Sequence, residues 1–131
     1  MLLPYEIIHR SAIPAIHYMI ATRLVEDCGM NQQHAAQILG VTQAAISNYL
    51  RRTRAIAVNL NDCKEICESV DDVTELLLEG GPNQSEVTEK IVAICEYLRM
   101  ELMLCDLHKR FEPSYNTDEC SACKTSFSIK K

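Results

Sequence analysis

The sequence predicts an all-α protein, in which a helix-turn-helix bundle is followed by a long C-terminal helix and a cysteine-rich loop. Apolar residues recur at three- and four-residue spacing along most of the 131-residue chain, a period typical of helices. Glycine is scarce and follows apolar-periodic segments, at Gly29, Gly40 and the pair at 80–81, where a helix C-cap favours it. No segment has a strong strand pattern.

The first helix is predicted between Ser11 and Cys28, where apolar residues form a stripe on one face. Pro14 is compatible with the first turn of this helix, since an amide there has no partner inside the helix. The residues of the stripe are Ile13, Ile16, Ile20 and Leu24.

Two shorter helices are predicted next, one from Asn31 to Leu39 and one from Gln43 to Arg51. Asn31 and Thr42 are suitable N-caps, because their side-chain oxygens can accept hydrogen bonds from the first amides of each helix. Further helices are expected over about 60–79 and along a long stripe from about 87 to 105. The periodicity ends at Pro113. We therefore expect a DNA-binding domain over 1–58 and a helical dimerisation region with a cysteine cluster over 59–131.

The segment "NQQHAAQILGVTQAAISNYLRRTR" predicts the helix-turn-helix. The first helix needs a small residue where the second crosses it, and Ala36 supplies one. The turn needs a residue that tolerates positive φ, which Gly40 provides four positions later. The apolar side chains expected to lock the pair together are Ile38, Leu39, Val41, Ile46 and Leu50.

The outer face of the second of these helices carries short amides, a hydroxyl and a guanidinium. Gln and Asn can pair with adenine and Arg with guanine in the major groove, and the arginines that follow suit phosphates. A helical hairpin that binds no DNA is the alternative, but its exposed face would more often be rich in Glu and Lys. The predicted DNA-contacting residues are Gln32, Gln33, Thr42, Gln43, Ala44, Ser47, Asn48, Arg51, Arg52 and Arg54.

The charge distribution agrees with this division. Residues 1–58 carry five arginines and three acidic residues, a net charge of +2, whereas residues 59–131 carry eight basic and fifteen acidic residues, a net charge of −7. Opposite signs in the two halves indicate different partners. No apolar run approaches the roughly 18 residues of a membrane span, and no secretory signal is recognisable, so we expect a cytoplasmic protein without a membrane partner.

The 7 cysteines are an odd number, which in a reducing cytosol favours metal binding or redox chemistry over structural disulfides. Cys120 and Cys123 form a C-x-x-C loop in which two small residues let backbone amides approach the sulfurs. This spacing is typical of loops that bind zinc or iron. A thioredoxin-like active site would need a strand before the loop, and none is predicted, so no catalytic residue is expected.

Two ligand sets are compatible with the spacing. In one, Cys105, His108, Cys120 and Cys123 bind zinc. In the other, Cys95 replaces His108 and four thiolates hold an iron–sulfur cluster. On an unbroken helix Cys95 and Cys105 would be about 15 Å apart, so the cluster requires either a helix break within "EYLRMELMLC" or a ligand from a partner chain.

The segments "AIPAIHYMIATRLVEDCGMNQQHAAQILGVTQAAISNYLR" and "CDLHK", followed by C-x-x-C, carry a resemblance to predicted archaeal transcriptional regulators with an N-terminal phage-repressor-type helix-turn-helix. The resemblance covers most of the chain and is weakest between about 55 and 85. Asn31 departs from it, since the family has Ser at this cap, and Cys28 is an additional thiol. The resemblance implies a homodimer on a two-fold operator in double-stranded DNA. It also implies cysteine ligands at Cys95, Cys105, Cys120 and Cys123.

The leading hypothesis is therefore a homodimeric transcriptional regulator whose iron–sulfur cluster, a 4Fe–4S cluster by preference, senses redox state or iron and sulfur status. A regulator with a structural zinc is the first alternative, and a small redox or electron-transfer protein without a DNA role is the second. Cys28, Cys63 and Cys67 are interpreted as small buried hydrophobic side chains rather than ligands.

Overall fold

A computed structural model of the protein describes residues 1–52, 60–79, 84–124 and 129. These residues form six helices and no strand, which confirms the all-α prediction. Helix α1 consists of four consecutive segments, Pro4–Ile7, Ile8–Ala12, Ile13–Thr22 and Arg23–Asp27, of which the second and fourth are π-helical. The others are α2 (Gln32–Leu39), α3 (Gln43–Arg52), α4 (Lys64–Leu78), α5 (Gln84–Met100) and α6 (Cys105–Phe111).

Helix α1 begins at Pro4, earlier than the predicted start near Ser11, and it continues through Pro14. Pro14 has no amide hydrogen to donate within the helix, and its ring needs room beside the preceding turn. The wider π-helical turn before it, in which the Ile13 amide donates to the Ile8 carbonyl, accommodates both requirements. The proline therefore lies inside a long helix.

The centre of the protein is the apolar stripe of α1, in which Ile16, Ile20 and Leu24 have no exposed surface. The stripe packs against α2, α3 and α4, while the first turn of α1 packs against α6. Helix α5 packs against α4. The buried apolar residues that other parts of the chain contribute to this core are Ala35, Ala36, Ile46, Leu60, Ile66, Val70, Val73, Ile94, Leu98 and Leu104.

Buried residues on both sides of the predicted domain boundary belong to this one hydrophobic cluster. An ion pair between Arg23 of α1 and Asp71 of α4 adds a polar contact across the same division. The boundary itself falls at residues 53–59, outside the described residues, and the two-domain division stays a prediction. None of the described helices is long and apolar enough to cross a membrane.

Replacing Gly40 with Ala should destabilise the protein by about 1–2 kcal/mol, the cost of a left-handed conformation for a residue with a Cβ. Gly40 has φ 72°, and a Cβ built there meets no heavy atom within 4 Å, so backbone strain alone should account for the loss. The free energy of unfolding from urea titration measures it. Gly40→Asn should cost less, because Asn tolerates this conformation. A Gly40→Ala variant as stable as the unmodified protein would contradict the expectation.

Candidate functional site

The α2–α3 pair is joined by a tight turn whose conformation depends on Gly40. The Gly40 amide donates to the Gln37 carbonyl at 3.2 Å, and the Val41 amide donates to the Ala36 carbonyl at 3.0 Å. These two bonds, with a left-handed residue between helix and loop, satisfy the last carbonyls of α2 as a Schellman motif does. Ala36 is 3% exposed, as expected for the small residue where two helices cross.

Both predicted N-caps are confirmed. The Asn31 side-chain oxygen accepts a hydrogen bond from the His34 amide at 2.7 Å, and the Thr42 hydroxyl oxygen accepts one from the Ala45 amide at 3.0 Å. Each bond satisfies an amide that the first helical turn leaves without a partner, and it defines where the helix begins. The Thr42 cap therefore defines Gln43 as the first residue of α3, directly after the turn.

Helix α3 buries one side and exposes the side that the sequence predicts to read DNA. Ile46 is 2% exposed and packs into the core. Gln43, Ala44 and Asn48 are exposed, and Ser47 is half-buried. Uncharged polar groups thus remain accessible on one face of α3. Burial of the opposite face holds the helix against the core.

The other predicted DNA-contacting residues surround this face. Gln32 and Gln33 are exposed in the first turn of α2, and Thr42 is exposed at the start of α3. Arg51 and Arg52 belong to the last turn of α3, but their side chains are not among the described parts of the chain, and Arg54 lies outside the described residues.

One polar contact connects α1 directly to α3. The His17 Nδ1 atom lies 3.4 Å from the Tyr49 hydroxyl, and the two rings are tilted with their centroids 5.6 Å apart. Burial lowers the pKa of the His17 imidazole, because the charged form loses solvation there. The neutral ring is therefore favoured at this contact between α1 and α3.

The helix break that the iron–sulfur hypothesis requires is present. Helix α5 ends at Met100, and Leu102 adopts φ 60°, the only positive φ of a non-glycine residue among those described. The Leu102 amide donates to the Arg99 carbonyl at 3.1 Å, and the Met103 amide donates to the Leu98 carbonyl at 2.9 Å. The α5–α6 turn thus has the same bonding as the turn after α2, with Leu where Gly is usual.

This turn places Cys105 beside the C-terminal loop. A cavity of about 20 Å³ is lined by residues of the first turn of α1, the α5–α6 turn, α6 and the loop. Three thiols and one imidazole contribute to its lining, those of Cys105, His108, Cys120 and Cys123. They are the set predicted for a zinc site.

The cavity does not include Cys95, which lies half-buried on α5, packed against the core. Burial raises the pKa of its thiol. Throughout the described ranges, no group of three or more His, Cys, Asp or Glu side chains is arranged to hold a metal ion. The thiols that line the cavity are therefore neighbours but do not converge on a single point.

A series of contacts connects His108 to the Cys120 thiol. His108 Nε2 lies 3.2 Å from a Glu112 carboxylate oxygen, and its ring stacks on Tyr115 with centroids 3.9 Å apart. The Tyr115 hydroxyl donates a hydrogen bond to the Cys120 sulfur at 2.8 Å. Cys120 is thus engaged by Tyr115 from within its own loop.

The thiols of the cavity have different acidities. The Tyr115 hydroxyl lowers the pKa of Cys120, because it donates to the thiolate, and the Ala122 amide adds to this effect. Burial raises the pKa values of Cys105 and Cys123. Cys120 is therefore the thiol most readily deprotonated to a nucleophile or ligand.

Sequence reasoning did not identify Glu112, Tyr115 or Arg99 as parts of this site. The spacing of His108 and Glu112, one helical turn apart, is a signal that could have been used. Tyr115 lies in a loop without periodicity, and Arg99 reaches the loop only because the chain turns back after α5. No local pattern indicates either contact.

The remaining cysteines lie elsewhere. Cys28 is exposed, so the interpretation of this residue as a buried side chain is wrong, and Cys63 and Cys67 are half-buried at the start of α4. The Cys63 thiol lies 3.8 Å from the Tyr97 hydroxyl of α5, and the Cys67 thiol donates to the Asn61 carbonyl at 3.2 Å. Cys63 and Cys67 thus contribute to packing, as the sequence indicates.

Comparisons with protein-family models, with curated proteins and with solved structures give no match to this chain. The resemblance to archaeal regulators stays a prediction, and the two candidate sites are interpreted from their own residues.

Replacing Tyr115 with Phe should raise the pKa of the Cys120 thiol, since the thiolate loses its hydroxyl donor. Below this pKa, Cys120 should then react more slowly with iodoacetamide, because less of it is thiolate. The rate at Cys120 as a function of pH, followed by peptide mass spectrometry, gives the titration midpoint. Tyr18→Phe, at a half-buried tyrosine of α1 that does not line the cavity, serves as the matched control. An unchanged midpoint in Tyr115→Phe would contradict the assignment.

Proposed function

We propose that the protein is a DNA-binding transcriptional regulator that acts as a homodimer and reads its operator with α3. The observation that carries the proposal is the exposed, uncharged polar face of α3, formed by Gln43, Ala44 and Asn48. A face that only needed solvation would gain more from charged side chains, whereas amides and a methyl group match base edges in the major groove.

The geometry around α3 supports this role. The Thr42 cap and the Gly40 turn define the start of α3, so the backbone of the residues that would enter the groove first is held by hydrogen bonds. In helix-turn-helix proteins the N-terminal residues of the second helix contact the bases. A dimer would present two copies of α3 to half-sites about 34–36 Å apart.

We further propose that the C-terminal thiols bind a thiophilic metal centre that controls DNA binding. Thiolates and an imidazole are ligands that zinc and iron–sulfur clusters accept. Glu112 is placed as the carboxylate partner that metal-binding imidazoles usually have, which fixes the ring and leaves its other nitrogen as the ligand atom. The donor set thus fits a metal, provided that the loop closes on it.

The cavity favours a single ion held by Cys105, His108, Cys120 and Cys123. All four of these side chains line it, and its space of about 20 Å³ is enough for a particle of the size of a water molecule. The 4Fe–4S cluster preferred from the sequence needs a fourth thiolate from Cys95, which does not line the cavity. Binding this cluster would therefore require a larger rearrangement of α5 and the loop than binding a single ion.

Helix α1 provides a direct route between the two sites. Pro4 and Ile7 in its first turn line the cavity, and its middle packs against α3, where His17 contacts Tyr49. A change at the thiol site that moves the first turn of α1 would therefore also shift the position of α3. Because operator binding depends on the spacing of two such helices, a small displacement is enough to change affinity.

Replacing Gln43 with Ala should weaken binding to the operator by about 1–3 kcal/mol, the value of a good bidentate contact to a base. The operator is first selected from a random DNA pool, and the dissociation constants are then measured by fluorescence anisotropy at fixed salt. Gln37→Ala, which removes an exposed amide from α2, is the matched control and should leave the affinity unchanged. Failure of the unmodified protein to enrich any sequence would refute the regulator and favour a redox protein without a DNA role.

The metal content of single-ligand variants should separate the two ligand sets. After anaerobic purification, Cys120→Ser and His108→Ala should lose most of the bound metal, and Cys95→Ser should retain it, because Cys95 does not line the cavity. Elemental analysis and the absorbance spectrum measure the outcome. Loss of a broad absorbance at about 400 nm in Cys95→Ser, with retention in His108→Ala, would instead establish the iron–sulfur cluster.

A further inference from the structure

Arg99 is a buried cation in the last turn of α5, with only 8% of its surface exposed. A guanidinium is costly to bury unless several acceptors surround it. One nitrogen donates to the Glu96 carboxylate at 2.9 Å, a residue one turn earlier on the same helix. The Glu96 side chain is 47% exposed, so the pair reaches from the surface into the interior.

A second guanidinium nitrogen donates to the Ala122 carbonyl at 3.4 Å, across 23 residues of sequence. Ala122 lies between Cys120 and Cys123, and its own amide donates to the Cys120 sulfur. The peptide after Ala122 carries the Cys123 amide, so a donor at the Ala122 carbonyl polarises the next donor of the loop as well. Arg99 thus contacts the residue whose amide donates to the Cys120 sulfur.

We propose that Arg99 is a positioning residue of the thiol site: it holds the Ala122 carbonyl so that the Ala122 amide stays directed at the Cys120 sulfur, and its charge stabilises the thiolates once a metal is bound. The second half rests on the metal site proposed above, whereas the first concerns the loop alone. Partners that orient metal ligands without touching the metal typically change affinity by about 10–100-fold when removed.

The experiment compares three full-length variants. Arg99→Met keeps the apolar stem that packs in the interior but loses the charge and the donors. Arg99→Lys restores one charge and a donor. Arg110→Met removes an exposed cation of α6 and is the matched control.

Two measurements are made on each variant. Hydrogen–deuterium exchange of the amides of residues 120–124 in metal-free protein reports on the loop. A titration with Co²⁺ under anaerobic conditions reports on the metal site through thiolate charge-transfer and d–d absorbance. Arg99→Met should exchange faster in the loop and bind Co²⁺ about 10–100-fold more weakly, while Arg99→Lys recovers most of both properties. Arg110→Met should match the unmodified protein.

The outcomes distinguish the two proposals. If Arg99→Met equals Arg110→Met in loop exchange and in Co²⁺ affinity, Arg99 does not position the loop. If Arg99→Lys and Arg99→Met are equally impaired and both differ from Arg110→Met, positioning by the two guanidinium donors stands and the proposed contribution of charge is overturned. If the unmodified protein binds no Co²⁺ but Arg99→Met loosens the loop, the proposed metal site fails and the positioning role of Arg99 stands.

Discussion

The burial of one helix face determines the arrangement of the described helices, because α1 is in contact with most of the others. Its stripe contains residues with no exposed surface, and α2, α3 and α4 each bury their apolar sides against it. At roughly 1.5–3 kcal/mol for each large aliphatic side chain, this burial is the largest favourable contribution to the fold. The positions of α3 and of the C-terminal loop are both defined relative to α1.

The α2–α3 pair could be predicted from sequence almost to the residue, because its structure depends on local chemistry. Asn31 and Thr42 cap the helices through amides only three positions later, and Gly40 supplies the conformation of the turn. Such interactions involve neighbours in sequence and are readable as motifs. Helix α1 was less predictable, since a π-helical turn before Pro14 disturbs the period from which a helix start is deduced.

The thiol site could be predicted in its residues but not in its arrangement. The spacing of Cys105, Cys120 and Cys123 indicates a shared location, and the cavity brings these three together. The turn that brings them together has Leu102 at the position where a glycine would have predicted a turn from the sequence. A left-handed leucine costs about 1–2 kcal/mol; burial of Leu98 and Leu104 on either side of it offsets that strain. This balance is a property of tertiary packing, which no local pattern reveals.

Regulation of α3 by the thiol site requires that the two states of the site differ in their contacts with α1, since a ligand shifts an equilibrium only by its differential affinity. The residues that meet at the first turn of α1 satisfy this condition. Ile7 is wholly buried and lines the cavity, so the proposed closure of the loop around an ion would change the surface against which Ile7 packs. The same helix contacts Tyr49 of α3 through His17, three turns later. A close-packed interior transmits such a displacement because it has little free volume in which to absorb it.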